Sequence, residues 1–334
     1  MDLLFVFNLL LVWMEKVLIT GITGQDGLFL SKNILKKNPD AKIYGVSRKT
    51  DNQEFKRNLR KVGTKNTDNI KIYNINLLNK MHVRKFIQSV QPTIIYNLSG
   101  PSSVGESLIY PQKTFDEITM IFENLISALF DEKIFIPFFQ ASSSEMFGTN
   151  NEKILTEDSE FNPQSPYAKA KLKNHKKVIE LSKEFNIKSG IMFNHESEFR
   201  KSNYLFKKVI NGAKNISEKK LNTLKVGSLT YERDWTFAGD ISKAMIEIIN
   251  SGSKNSYVIG SGKSHSIQYF ISLVFDHFNL NWEKYVQVEP SLLRVGDPEK
   301  ITCDPTRLIN ELNWKPEYTF ENLVERCVSN SMNS

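Results

Sequence analysis

The sequence predicts an α/β fold built on a doubly wound parallel sheet, with a smaller second part interleaved toward the C-terminus. Two observations support this prediction. Short apolar runs alternate with helical segments of roughly 10 to 20 residues, the pattern of a parallel sheet covered by helices on both faces. The first apolar run, Lys16 to Thr20, is followed at once by a glycine-rich turn and a helical segment.

Composition and charge restrict the classes of protein to consider. The 334 residues are 40 % hydrophobic and 24 % charged, as in ordinary globular proteins. The net charge of +7 is spread along the chain without a basic block, so we expect no nucleic-acid partner and interpret the charge as a cationic cleft for an anionic small molecule. Cys303 and Cys327 have no metal-ligand spacing, which predicts a reduced, cytoplasmic protein without a metal site.

Residues 1–14 form an apolar N-terminal extension. The run Leu3 to Trp13 is too short for a membrane span, which needs about 20 residues, and no positive charge precedes it as in a signal peptide. Because the first strand begins at Lys16, we expect the extension to lie outside the fold. The alternative is a weak membrane-surface or partner-binding segment.

The turn after the first strand predicts a dinucleotide site in a Rossmann-like sheet. Gly21, Gly24 and Gly27 stand between a strand and a helix, where absent side chains let backbone amides approach a pyrophosphate at the helix N-terminus. The alternative is a loop that merely turns. The expected cofactor-binding residues of this loop are Gly21, Thr23, Gly24, Gln25, Asp26 and Gly27.

The second strand, within residues 41–49, should end beside the adenosine ribose. An acidic residue there would bind a free ribose, whereas Arg48 suits a 2′-phosphate and therefore indicates NADP. The alternative is that Arg48 is simply solvated.

The remaining elements of the first half follow the same alternation. We expect a third strand at 70–76, a helix at 78–90 and a fourth strand at 93–98. A loop of small residues at 99–107 and a helix from about Tyr110 to Phe130 lead into the strand before Ser143.

Four residues between 140 and 171 are the candidate catalytic group. Ser143 and Glu145 follow the apolar run IFIPFF, at the carboxyl end of a strand where parallel sheets hold ligands. Tyr167 and Lys171 are four residues apart on a helix predicted over 167–185, and the cation should lower the phenol pKa toward that of a base. A structural pairing, and a capping role for Glu145, are the alternatives.

Six motifs occur in order along nearly the whole chain. They are GITGQDG at 21–27, YNLSGPSSV at 96–104, QASSSEMFG at 140–148, SPYAKAK at 165–171, FNHES at 193–197 and RDW at 233–235. Together they resemble the GDP-mannose 4,6-dehydratase family, a nucleotide-sugar branch of the extended short-chain dehydrogenase/reductases. The chain departs from the family pattern at Asn76, at Gly100-Pro101 and at Glu198-Phe199, the last standing where a Pro-Arg pair is common.

The resemblance implies bound NADP and dehydration of a nucleotide-linked hexose, with GDP-mannose expected as substrate. Tyr167 would take the C4 hydroxyl proton, Lys171 would bind the nicotinamide ribose, Ser143 would hold the C4 oxygen, and Glu145 would drive loss of water from C5 and C6. The other cofactor contacts that it implies are Asn76, Leu77, Leu98, His195 and Arg200. The substrate contacts that it implies are Ser143, Asn194, Glu196, Lys208, Arg233 and Arg294.

The expected domain division follows from these assignments. Residues 15–199 plus about 232–258 should form the NADP-binding domain, and about 200–231 plus 259–330 the substrate-binding domain. A homodimer or homotetramer is also expected. Two alternatives remain open: an NADP-dependent 4-reductase or epimerase of a nucleotide sugar, which would not need Glu145, and a non-catalytic NADP-binding protein.

Overall fold

The structure is a computed structural model that describes residues 15–48, 52–64, 66–150, 152, 154–293 and 296–332. The N-terminal extension (residues 1–14) and Arg294 lie outside the described residues, so their predicted roles stay predictions.

The described chain is organised around a seven-stranded parallel sheet, as the alternating sequence pattern predicts. The strands are β1 (Lys16–Thr20), β2 (Lys42–Val46), β3 (Ile70–Tyr73), β4 (Ile94–Asn97), β5 (Phe138–Ser143), β6 (Ile187–Met192), β7 (His195–Glu196), β8 (Leu224–Val226), β9 (Glu232–Arg233), β10 (Thr236–Phe237), β11 (Ser256–Ile259), β12 (His265–Ser266), β13 (Val286–Val288) and β14 (Lys300–Ile301). The order in the large sheet is β11-β6-β5-β4-β1-β2-β3, so the direction of winding reverses between β1 and β4. Ligands of such sheets bind at this reversal, beyond the carboxyl ends of the strands.

Helices cover both faces of this sheet. They are α1 (Gln25–Lys37), α2 (Gln53–Lys61), α3 (Lys80–Val90), α4 (Val104–Ile109), α5 (Pro111–Asp131), α6 (Pro166–Leu181), α7 (Leu205–Ser217), α8 (Ala238–Ser251), α9 (Ile267–His277), α10 (Thr306–Leu312) and α11 (Phe320–Met332). α1 packs against α8, while α5 packs against both α3 and α6. None of the helices in these ranges combines the length and apolarity needed to cross a membrane.

The core divides between the two faces because successive strand residues point in opposite directions. Val17 and Ile19 of β1 belong to the larger apolar cluster with Phe29 of α1, whereas Leu18 packs with Phe122 of α5 in a second cluster. Both faces of β1 are therefore buried, which explains its continuous apolar sequence.

The later part of the chain adds small sheets beside the large one. β9 pairs with β12 and β14, and β8 pairs with β13. β10 pairs with β7, directly after β6. Residues 232–301 thus return repeatedly to the carboxyl edge of the large sheet.

One predicted loop is wrong. Residues 104–109 form α4 instead of an irregular connection, because the Ser103 hydroxyl accepts a hydrogen bond from the Glu106 amide (3.1 Å) and caps the helix. Boundaries also differ: β3 ends at Tyr73 instead of 76, and α6 ends at Leu181 instead of 185.

Candidate active site

The glycine-rich turn lies at the winding reversal and requires its glycines. Gly21 has φ +73°, and a Cβ there would lie 2.9 Å from the Leu98 carbonyl oxygen at the end of β4. A Cβ on Gly27 would lie 2.3 Å from the Ile22 carbonyl oxygen. The turn therefore brings the amino end of α1 close to its own strand, leaving room for a phosphate group at the helix N-terminus.

Beside this turn is a cavity of about 570 Å³, within the range of ligand pockets. Its walls come from the ends of β1 to β4, α2 and the segment before α7. The predicted cofactor residues that line it are Gly21, Thr23, Gly24, Gln25, Asp26, Arg48, Asn76, Leu77, Leu98 and Arg200. The size and the glycine cradle fit a dinucleotide with its pyrophosphate at α1.

The end of the cavity near β2 is polar. The Arg48 side chain is 86 % exposed, and its guanidinium lies 3.8 Å from Glu117. Ser47 lies beside it and contacts the Thr23 hydroxyl (2.9 Å). Glu54 also lines the cavity. Arg48 can therefore reach a ligand at this end of the cavity. The carboxylates of Glu54 and Glu117 lie in the same region.

The four candidate catalytic residues come together at the end of β5. The Ser143 hydroxyl hydrogen-bonds the Tyr167 phenol and accepts from the Glu145 amide (3.3 Å). Ser165 caps α6 by accepting from the Ala168 amide (3.1 Å), which fixes the first turn that carries Tyr167. Glu145 begins a short 3-10 turn and is half-buried.

The expected effect of Lys171 on Tyr167 is wrong for this arrangement. Burial raises the pKa of Tyr167 above its ordinary value, against the effect of the Ser143 hydrogen bond. Burial also lowers the pKa of Lys171 to about 8. The Lys171 ammonium lies 5.7 Å from the centre of the Tyr167 ring and donates to the Ala141 carbonyl (2.9 Å). Desolvation is the main cause of both shifts, and it outweighs the opposing effects of Ser143 and Arg200 on Tyr167 and of Asp26 on Lys171.

A buried chain of charges follows β6. The His195 Nε2 lies 3.0 Å from the Asp26 carboxylate, and the Arg200 Nε lies 3.1 Å from Glu196. Burial opposes a charge on His195, but the attraction of Asp26 leaves its pKa above the ordinary value. Burial raises the pKa of Glu196 despite Arg200. His195 and Arg200 are therefore held close to Asp26 of the glycine-rich turn, and their cofactor roles stay predictions.

Several polar contacts of this site are not indicated by the motifs, although most of the residues that make them belong to those motifs. The Gln25 side chain donates to the His195 carbonyl (3.0 Å) and accepts from the Ser197 hydroxyl (2.9 Å). The Thr20 hydroxyl donates to Asn97 (2.7 Å), which donates to Gln140 (2.8 Å), across three strands. The sequence feature that points to these residues is their position, because each is a polar residue at the end of a buried strand or the start of a helix.

The predicted substrate cations lie elsewhere. Arg233 is 8 % exposed and pairs with Asp297 (3.0 Å), while its Nη1 donates to the Glu232 carbonyl (2.8 Å). The half-buried Lys208 donates to the Lys225 carbonyl (2.9 Å). The backbone carbonyl of Asn194 accepts from Thr236 (2.9 Å), which joins β7 to β10. Neither Arg233 nor Lys208 lines the dinucleotide cavity.

The departure at residues 198 and 199 has a structural role. Glu198 accepts two hydrogen bonds from Arg326 of α11, at 2.5 and 3.0 Å. Phe199 packs against Phe29 of α1 with ring centres 5.9 Å apart. The two residues therefore join α11 and α1 to the segment that carries Arg200.

Comparison with known proteins agrees with the site. A family model described as GDP-mannose 4,6 dehydratase matches residues 18–327. GDP-mannose 4,6 dehydratase 2 of Arabidopsis thaliana is 30 % identical, covering 94 % of this chain and 86 % of the relative. The human GDP-mannose 4,6 dehydratase is also 30 % identical, covering 93 % and 90 %.

Solved structures share the fold at lower identity. A dTDP-glucose 4,6-dehydratase from Bacillus anthracis in complex with NAD has a TM-score of 0.80 at 16 % identity, covering 96 % of this chain and 97 % of that one. RMD from Pseudomonas aeruginosa complexed with NADPH has a TM-score of 0.76 at 18 % identity, covering 96 % and 100 %. On the family match over residues 18–327 and the 30 % identity to relatives, this chain belongs to the GDP-mannose 4,6 dehydratase family.

Proposed function

We propose that this protein converts GDP-mannose to GDP-4-keto-6-deoxymannose with NADP as its cofactor. The observation that carries the proposal is the convergence of Ser143, Tyr167 and Glu145 at the end of β5. Tyr167 neighbours Arg200 and Tyr204, which line the dinucleotide cavity. An alcohol oxidation needs a proton acceptor, and loss of water needs a second group that takes one proton and delivers another. This site offers both.

Each residue has a defined task in the proposed reaction. Ser143 hydrogen-bonds the C4 oxygen, and Tyr167 accepts the C4 hydroxyl proton. Glu145 removes the C5 proton, which is acidic beside a C4 ketone, and protonates the C6 hydroxyl as the C6–O bond breaks and water leaves. A bound nicotinamide cofactor, which Lys171 is proposed to hold through its ribose, would supply the hydride acceptor for C4 and, once reduced, the hydride donor for C6. Oxidation at C4 and reduction at C6 then balance.

The preference for NADP rests on Arg48. Its exposed guanidinium at the β2 end of the cavity suits the dianionic 2′-phosphate, since Arg presents several donors to phosphate oxygens. Glu54 and Glu117 line the same region and would favour a free ribose. Of the two solved structures described above, one is in complex with NAD and the other with NADPH. For this chain we therefore base the choice between the two cofactors on Arg48.

The substrate portion of the site is proposed to involve the small sheets beside the large one. Arg233 of β9 supplies a buried cation that would bind a diphosphate when its ion pair with Asp297 opens. Asn194, Glu196, Lys208 and Arg294 complete the proposed substrate contacts. The domain division is proposed as predicted, with residues 200–231 and 259–330 forming the substrate-binding part.

The oligomeric state is proposed from exposed apolar residues, and the cellular location from the state of the cysteines. Ile109 is 69 % exposed, next to the exposed Leu108 and Tyr110, which favours burial in a homodimer or homotetramer. Cys303 and Cys327 are buried free thiols, which supports a reducing, cytoplasmic location.

The test is to incubate the purified protein with GDP-mannose and catalytic NADP and to follow products by mass spectrometry. We expect a product lighter by one water, without net accumulation of NADPH. In a parallel incubation with a 4-keto sugar nucleotide and NADPH, stoichiometric consumption of NADPH without loss of water would instead indicate a reductase. Tight NADP binding without any product from a panel of nucleotide sugars would overturn the catalytic proposal.

A further inference from the structure

Two segments of the chain meet at the wall of the dinucleotide cavity. Ser102 lies in the loop after β4, and Tyr204 immediately precedes α7. Their hydroxyl oxygens are 2.7 Å apart, at hydrogen-bonding distance. Both residues line the cavity, as do residues of the glycine-rich turn. The contact therefore joins the first half of the chain to the start of the second half over the cofactor site.

The Tyr204 ring supports a further residue of the cavity wall. The guanidinium carbon of Arg200 lies 3.7 Å from the centre of this ring, a cation–π contact, and the Arg200 Nε lies 3.1 Å from Glu196. Arg200 is 19 % exposed, so Tyr204 and Glu196 together fix its direction. The residue predicted to contact the cofactor is thus oriented through Tyr204.

Tyr204 also lies near the catalytic phenol. Burial is the main reason that the pKa of Tyr167 is raised, and the neighbouring Tyr204 adds to that effect. Movement of the segment before α7 would therefore change the opening of the cavity and the surroundings of Tyr167 together.

We propose that Tyr204 and Ser102 form a clasp over the cavity that slows release of the dinucleotide, with Tyr204 acting as a positioning residue for Arg200. The proposal rests on the proposed function. That reaction removes a hydride in one step and restores it in a later one. Loss of the reduced cofactor between these steps would leave a sugar two electrons more oxidised than the product, so slow release is a chemical requirement of the cycle.

The test measures release directly and needs no sugar nucleotide. Protein loaded with NADPH is mixed with a large excess of NADP, and the decay of NADPH fluorescence gives the dissociation rate. NADH is used in parallel. Tyr204→Phe, which removes only the hydroxyl, should release the reduced cofactor about 3 to 10 times faster, the range expected for loss of one uncharged hydrogen bond. The matched control is Tyr269→Phe, at an exposed tyrosine outside the cavity whose hydroxyl donates to Glu321 (3.0 Å), and this variant should release at the parent rate.

A double-mutant cycle separates the clasp from a general loosening of the fold. Ser102→Ala should accelerate release as much as Tyr204→Phe, and the double variant should be no faster than either. Rates that multiply in the double variant, or a parent-like rate in Tyr204→Phe, would overturn the proposal. Tyr204→Ala also removes the ring from Arg200 and should be faster still. If no dehydration occurs but these rates hold, only the proposed reaction fails and the clasp stands.

Discussion

At the scale of single residues, Tyr167 is the group whose chemistry depends most on its surroundings. Burial raises its pKa, and burial lowers the pKa of Lys171 to about 8. The Ser143 hydrogen bond and the positive charge of Arg200 both favour the Tyr167 phenolate. Substitutions at this cluster should therefore separate binding from turnover.

Glu145→Gln tests the elimination step. The amide is similar in size but cannot take the C5 proton, so turnover should fall by about 10² to 10⁴ while NADP and GDP-mannose still bind. Tyr167→Phe should in addition abolish the first oxidation. Binding is measured by calorimetry and turnover by mass spectrometry. Parent-like turnover in Glu145→Gln would remove that residue from the mechanism.

Arg48→Ala tests the choice of cofactor. Loss of a charged hydrogen bond to the 2′-phosphate should weaken NADP binding about 10- to 100-fold and leave NAD binding nearly unchanged. Both dissociation constants are measured at the same ionic strength, because exposed charges are screened by salt. Equal weakening for the two cofactors would show that Arg48 does not read the phosphate.

At the scale of elements, α6 carries three buried polar side chains on one face. Tyr167, Lys171 and His175 follow at four-residue spacing, and all are buried. The His175 Nδ1 lies 2.9 Å from the Ser189 hydroxyl of β6, which donates to Ser142 of β5 (2.7 Å). One helix is thus attached to β6 and β5, next to Ser143.

This attachment predicts a pH dependence of stability. Burial lowers the pKa of His175 to about 4, whereas a histidine in the unfolded chain titrates near 6.5. Between about pH 4 and about pH 6.5 the unfolded state binds more protons than the folded state. The free energy of unfolding therefore decreases as the pH falls through this range. From pH 7 to pH 5, the parent should lose about 1–2 kcal/mol more free energy of unfolding than His175→Asn. Urea unfolding at both pH values measures this, and parallel losses would contradict the assignment.

The sequence predicts elements better than their ends. The alternation of apolar runs and helical segments was sufficient for the parallel sheet, because strands such as β1 are buried on both faces. It was insufficient for α4, whose six residues are stabilised by the Ser103 cap and not by an apolar face. The end of β3 depends on its pairing with β2, where the register stops at Val46 and Tyr73.

At the scale of the whole molecule, the site depends on contacts between distant parts of the chain. Asp26 pairs with His195, and Gln25 bonds both β7 and the residue after it. Motifs predicted which residues belong to the site, but these partners could not be read from the sequence because they are set by the folded arrangement. The departure at Glu198 is the clearest example, since its partner Arg326 lies in the last helix.

Arg326→Ala tests this long-range pairing. The Glu198 side chain is 6 % exposed, and removing its partner leaves a buried charge, so unfolding should become about 3–5 kcal/mol easier. Lys37→Ala is the matched control, because the Lys37–Glu247 pair is exposed and contributes less than about 1 kcal/mol. Denaturant midpoints at constant slope give both values. If the buried charge is the cause, adding Glu198→Ala to Arg326→Ala should restore part of the loss.

The order of strands also has a consequence for synthesis on the ribosome. All residues that line the dinucleotide cavity have been synthesised once Tyr204 has emerged. At that stage β6 still lacks its neighbour β11 in the sheet. Asp297, the ion-pair partner of Arg233, is synthesised about 90 residues after Tyr204. At translation rates of about 5–20 residues per second, this interval lasts roughly 5–20 s. A nascent chain could therefore acquire its cofactor before its substrate site exists.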